Sequence, residues 1–131
     1  MGERARILVI DDEPFIGRVV ARSLSGDHDV TVSSSGGEAL SVLRTGQSFD
    51  LILCDLMMPG MTGMDLFEAI EAEWPAMVDR VVFLTGGAFT ARARTFLSGR
   101  QGRLIDKPFT SDDLRGYVGS ALCHHRQAQS A

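Results

Sequence analysis

At 131 residues the chain has room for one domain that buries roughly two thirds of its unfolded surface, and a hydrophobic share of 44% with 23% charged residues is that of an ordinary soluble globular protein. No apolar run approaches the ~20 residues of a membrane span and the N-terminus has no signal-peptide core, so a cytoplasmic chain is expected. The net charge of −4, with clustered acids and dispersed arginines, argues against a basic nucleic-acid-binding face, and Cys54 and Cys123 are too few for a disulfide framework.

Residues 5–10 form the first of five short Val, Ile and Leu-rich runs, nearly all apolar as in parallel strands covered on both faces. Pro14 then opens a helix with Phe15, Val19 and Leu24 on its apolar face. A second strand is predicted over 29–33, followed by the capping-box text Ser35-Gly36-Gly37-Glu38 before Ala39, Leu40 and Leu43. Strand 49–54 leads to a helix marked by Leu66, Phe67, Ile70 and Trp74, with Pro75 just beyond it. Strand 80–85 precedes a helix carrying Ala93, Phe96 and Leu97. Strand 103–106 precedes the last helix, which is capped by Thr110, faced by Leu114, Tyr117, Val118, Ala121 and Leu122, and has Asp112 and Asp113 in its first turn. His124, His125 and Arg126 are expected near its end, and the tail 127–131 should fray. Five βα units in a row imply an α/β doubly wound parallel sheet with right-handed crossovers, one domain over 1–131 with its core at about 5–123.

Four of these runs end in polar residues: Asp11-Asp12 after Ile7-Leu8-Val9-Ile10, Asp55 after Leu51-Ile52-Leu53-Cys54, Thr85 after Val81-Val82-Phe83-Leu84, and Lys107 shortly after Leu104-Ile105. Lys107 is the only lysine in a chain that otherwise uses arginine, and a compact ammonium reaches into a pocket where a planar guanidinium does not fit. In an open parallel sheet, ligands bind beyond the carboxyl ends of the strands. Three carboxylates gathered there would repel one another unless a cation joined them, and oxygen-only ligands suit Mg²⁺ or Mn²⁺. A hard cation beside a carboxylate, a hydroxyl and an ammonium suits phosphoryl transfer. Each residue also has a plain role: the acidic pair as a solvated turn, Thr85 as a β-branched strand residue, Lys107 as a surface charge.

The texts VIDDEP, LILCDLMMPGMTGMDL, VVFLTGG and LIDKPF, in that order and spacing, make the chain resemble a response-regulator receiver domain over essentially its whole length. The resemblance implies a flavodoxin-like (βα)5 fold with strand order 2-1-3-4-5. It implies that Asp55 accepts a phosphoryl group from a histidine kinase or histidine phosphotransfer domain and slowly loses it. It further implies that Asp12, Asp55 and the Met57 carbonyl hold Mg²⁺, that Asp11 acts through water, and that Thr85 and Lys107 bind the phosphoryl oxygens. Pro59, Gly60 and Gly63 would shape the loop after the acceptor strand. Thr85, moving toward the phosphoryl group, would pull loop 86–89 and switch the face of the fourth helix, fifth strand and fifth helix for a downstream protein yet to be identified. A monomer or weak homodimer is expected.

Two positions depart from the family pattern. Leu104 stands where many receivers carry Tyr or Phe, and reads as a core residue rather than a specialised switch. Gly86-Gly87 follows Thr85 where Ala is commoner, so easy water access and a short-lived phosphoform are expected. The text LTGGAFTARARTFL resembles receivers at the C-terminal end of hybrid histidine kinases, with a free-standing regulator as the alternative. Met57, Met58, Met61 and Met64 read as loop packing, His28 as a turn residue, and His124-His125 as helix-end charges. A phosphatase of another α/β fold is disfavoured because its D-x-D pair is absent, and a nucleotide site because no Gly-rich cradle follows the first strand. A phosphorylation-independent interaction domain of the same fold remains the alternative function.

Overall fold

A computed structural model of the protein describes residues 4–87, 90–98 and 103–130, with side chains as far as residue 123. Five parallel strands form one sheet in the order β2-β1-β3-β4-β5: β1 Arg6–Ile10, β2 Asp29–Ser33, β3 Leu51–Asp55, β4 Val81–Thr85 and β5 Leu104–Asp106. The helices are α1 Pro14–Leu24, α2 Gly36–Arg44, α3 Gly63–Glu73, α4 Ala91–Leu97 and α5 Ser111–Ser130, with a 3-10 turn at Pro75–Arg80. This is the predicted topology. Among the described residues no helix is long and apolar enough to cross a membrane.

Strand alternation explains why the central runs are wholly apolar. Leu8 and Ile10, Ile52 and Cys54, and Val81 and Phe83 bury against α2, α3 and α4. Their neighbours Ile7 and Val9, Leu51 and Leu53, and Val82 and Leu84 bury against α1 and α5. On the first face Phe67, Phe83 and Phe96 join α3, β4 and α4, Phe96 meeting each of the other rings edge-on at 5.3 Å, a favoured aromatic geometry. Leu104 packs, partly buried, against this same cluster, in keeping with a core role.

Several local expectations change. Phe15 is 65% exposed, so α1 buries Gly17, Val20 and Leu24 instead of the face led by Phe15. The Ser35 hydroxyl does accept the Glu38 N–H at 3.1 Å, but the Glu38 carboxylate accepts from Ser34 Oγ. A reciprocal box forms between Thr62 and Asp65 at the start of α3, and another between Thr110 and Asp113 before α5. Helix α5 continues through Ser130 instead of fraying, so His124, His125 and Arg126 are not in its last turn. The side chains of those three residues, and Ala88 and Phe89 of loop 86–89, lie outside the described set. Cys54 is a buried free thiol and Cys123 an exposed one.

Candidate functional site

Parallel register decides which strand ends meet. Ile10 pairs with Cys54, so Asp11 and Asp55 follow on adjacent strands. Asp55 pairs with Leu84, and Thr85 with Asp106, which sets Thr85 and Lys107 at the next two strand ends. Strand alternation puts Asp11, Asp55 and Lys107 on the α1 and α5 side, whereas Thr85 follows Phe83 to the α3 and α4 side.

The backbone of this cluster is pinned. The Asp11 N–H donates to the Ser33 carbonyl at 3.1 Å, and the Lys107 N–H donates to the Thr85 carbonyl at 2.7 Å. The Lys107–Pro108 peptide is cis. Asp11 is 1% and Asp55 5% exposed, while Asp12 faces solvent. One carboxylate oxygen from each of Asp11, Asp12 and Asp55 lies within 4.8 Å of the other two. Lys107 Nζ donates to Asp11 Oδ2 at 2.9 Å and stands 3.7 Å from Asp55 Oδ2. Asp11, Asp12, Asp55 and Lys107 therefore converge, whereas the Thr85 hydroxyl is turned to the Phe83 side and engaged by the Gly87 N–H. The structure adds Glu13, whose Oε1 is 3.5 Å from the same ammonium and which the sequence reading did not single out.

These distances set the electrostatics. Burial, and then the Asp11 charge, push the Asp55 carboxyl up to about 7, against the pull of Lys107 and of the Met57 N–H. Burial acts to lower the Lys107 pKa, but its hydrogen bond to Asp11 and the charges of Asp55, Asp11 and Glu13 outweigh that and leave it raised. The Cys54 thiol, pushed up by burial and then by the Asp55 and Asp11 charges, stays protonated. The site thus holds more negative charge than one ammonium neutralises, and every donor atom offered by its carboxylates is a hard oxygen.

The loop after β3 is shaped by close backbone contact. Met57 is exposed at the site, Met58 and Met64 are buried, and Met61 lies over Gly36, so these methionines serve mainly as packing. Gly60 has φ +74°. A Cβ on Gly63 would collide with the Asp55 carbonyl oxygen and sit 2.9 Å from Leu56 Cα, both backbone atoms that cannot step aside cheaply. Gly63→Ala is therefore expected to cost about 1–3 kcal/mol in urea unfolding, as overpacked sites do. Asp65 closes the far end of this loop, its Oδ2 accepting the Thr62 N–H while Oδ1 accepts from Arg92 of α4 at 2.9 Å. After β4, Thr85 Oγ1 accepts the Gly87 N–H at 3.1 Å, and Gly87 takes φ +91°, a conformation that favours glycine.

Comparisons with known proteins bear on the family and the fold. The family model for the response regulator receiver domain matches residues 7–119. The DNA-binding response regulator MtrA of Mycolicibacterium smegmatis is 32% identical over 120 residues, 91% of this chain and 51% of that protein. The DNA-binding transcriptional regulator NtrC of Klebsiella pneumoniae is 30% identical over 128 residues, 97% of this chain and 27% of that protein. A receiver domain protein from Clostridium thermocellum superposes with a TM-score of 0.78 at 28% identity, over 95% of this chain and 98% of that one. The chain thus spans about half the length of MtrA and about a quarter of NtrC. With the family match running from the first strand into the last helix, and the same fold found in a solved receiver, this chain belongs to the response regulator receiver domain family.

Proposed function

We propose that this receiver takes a phosphoryl group onto Asp55 from the phosphohistidine of a histidine kinase or a histidine phosphotransfer domain, and later yields it to water. The observation that carries this is the Lys107 ammonium, 3.7 Å from the Asp55 carboxylate and bonded to Asp11 beside it. An ammonium in that place meets an oxygen of any phosphoryl group attached to Asp55. One Asp55 oxygen attacks phosphorus in line, and the leaving group departs toward solvent. The Thr85 hydroxyl accepts from Gly87 and keeps its own hydrogen to donate to a phosphoryl oxygen.

The all-oxygen set, two of its members buried, fits a hard divalent cation, Mg²⁺ or Mn²⁺. Asp12, Asp55 and the Met57 carbonyl are the residues to hold it, with Asp11 acting through water. When bound, Mg²⁺ supplies charge neutralisation for carboxylates and phosphoryl oxygens together. Thr85, turning from the side of Phe83 toward Asp55, would release the Gly87 N–H and redirect the chain toward α4. The α4–β5–α5 face is then the surface read by a downstream protein. Gly86 and Gly87, both exposed, leave the acyl phosphate open to water.

Incubation with Mg²⁺ and acetyl phosphate, read by intact mass, is expected to give one phosphoryl adduct on the wild type and none on Asp55→Asn. An adduct of equal yield on the variant would end the assignment to Asp55, and no adduct with no Mg²⁺-dependent response to beryllofluoride on the wild type would favour the interaction-domain alternative.

A further inference from the structure

We infer that Glu13 sets the class of phosphoryl donor this site takes, favouring phosphoryl groups carried on a protonated nitrogen over acyl phosphates; this rests on the phosphoacceptor reading of Asp55. Glu13 stands at the N-cap of α1, where a side chain ordinarily accepts from the first-turn amides, yet it makes no side-chain cap bond. Its backbone is nonetheless fixed. Its N–H donates to Asp11 Oδ1 at 2.9 Å, and its carbonyl accepts the N–H groups of Ile16 at 3.0 Å and Gly17 at 3.3 Å. The carboxylate is thus held at the site without serving the helix. It is 60% exposed and lies 3.5 Å from an ammonium that is only 14% exposed, so it forms the solvent-side rim of Lys107.

Charge accounting gives that rim a consequence. Asp11, Asp12 and Asp55 cluster tightly enough to share one cation, and Glu13 is not part of that cluster. With a cation and Lys107 in place, Glu13 is the negative charge left facing the approach path. The donor's leaving group must lie on the solvent side, because Asp55 attacks from the sheet side.

In transfer from protonated phosphohistidine or phosphoramidate, an Asp55 oxygen–phosphorus bond forms as the phosphorus–nitrogen bond breaks. The electron pair goes to a nitrogen that already carries its proton and leaves neutral. The donor therefore arrives with positive charge beside Glu13. In transfer from acetyl phosphate the phosphorus–oxygen bond breaks and acetate leaves as an anion, so negative charge grows where Glu13 repels it. Acyl phosphates meet an electrostatic penalty that N-phosphoryl donors do not.

The test compares initial rates of adduct formation on the full chain with acetyl phosphate and with phosphoramidate, in Mg²⁺ at low ionic strength, for wild type, Glu13→Gln and Glu13→Asp. Glu13→Gln is expected to raise the acetyl phosphate rate by about fivefold, an effect of local charge that added salt screens. Its phosphoramidate rate should stay level or fall, and Glu13→Asp should keep the wild-type donor ratio. Isothermal titration should give Mg²⁺ affinity for Glu13→Gln within about twofold of wild type, separating charge at the rim from damage to the cation site. Wild-type adduct formation with an unchanged donor ratio in Glu13→Gln overturns this inference alone. No wild-type adduct with either donor, together with no Mg²⁺-dependent response to beryllofluoride, overturns the phosphoacceptor reading, and the inference with it.

Discussion

Lys107→Met is expected to destabilise the metal-free protein by about 3 kcal/mol at pH 8, the scale on which one partner of a buried ion pair is missed. The Lys107 side chain is half-buried, bonded to Asp11 at 2.9 Å and 3.7 Å from Asp55, so methionine leaves two adjacent carboxylates with no counter-charge. The folded-state pKa of Lys107 is raised, which means its stabilisation is fully present below its ordinary value of 10.5 and lost only as pH climbs past the folded value. Throughout the range from pH 5 to 8 the wild type therefore keeps the pair. The variant does not behave uniformly over that range. Lys107 is one of the groups that hold the Asp55 pKa down, so its removal drives that pKa above the present value of about 7. At pH 5 Asp55 carries its proton in both proteins, so the like-charge repulsion that the variant meets at higher pH is relieved. Urea unfolding in EDTA should show a deficit that shrinks from pH 8 to pH 5, and excess Mg²⁺ should restore part of the loss at pH 8. A deficit independent of pH would mean that packing, not charge, is what Lys107 supplies.

The same residues show how far the sequence carries. Asp11, Asp12, Asp55, Thr85 and Lys107 were legible because each ends an apolar strand, and parallel register converts strand ends into neighbours without knowledge of any loop. Glu13 was not, since its tie to Lys107 spans 94 positions and exists only once β1 and β5 lie in one sheet. Phe15 misled for a related reason. Helical spacing makes Phe15, Val19 and Leu24 a plausible apolar face, but a Cβ on Gly17 would come within 2.8 Å of Val32 Cγ1. The helix therefore turns its smallest residue to the sheet and leaves Phe15 outside, a choice set by clearance over β2 that residue type alone hides. The length of α5 was missed because the stretch beyond Leu122 has no apolar period, yet residues such as Arg, Gln and Ala are good helix formers and continue a helix already nucleated by packing. Asp55 closes its strand rather than follows it, and Thr85 closes its own as expected, because ladder bonds run past them, Leu56 N–H to the Leu84 carbonyl at 2.9 Å and Lys107 N–H to the Thr85 carbonyl at 2.7 Å. The acceptor side chain is thus fixed by the sheet itself.

That rigidity has a cost at neutral pH, and Asp55→Asn should expose it. The Asp55 carboxyl is raised from 3.8 to about 7, first by burial and then by the Asp11 charge. A raised carboxyl means that the folded state holds the proton more tightly than the unfolded state, so stability falls as pH rises from about 4 to about 7 and is flat above that. Within this window the slope for one proton reaches about 1.4 kcal/mol per pH unit. Asparagine has the same shape and no charge, so the variant escapes the penalty. In EDTA at pH 8 it should melt above the wild type, by on the order of 4 °C for each kcal/mol recovered, and the two should converge toward pH 5. Mg²⁺ should reverse the order. A cation at 100 times its dissociation constant stabilises the folded wild type by about 2.7 kcal/mol, and the variant, with one carboxylate fewer, gains less. Because the cation and the proton compete for Asp55, wild-type Mg²⁺ affinity should also rise with pH up to about 7 and then level, with proton release that vanishes in Asp55→Asn. A wild type that grows more stable from pH 5 to pH 8 in EDTA would show that the Asp55 carboxylate is already neutralised by its neighbours, and would remove the electrostatic reason for the site to recruit a cation.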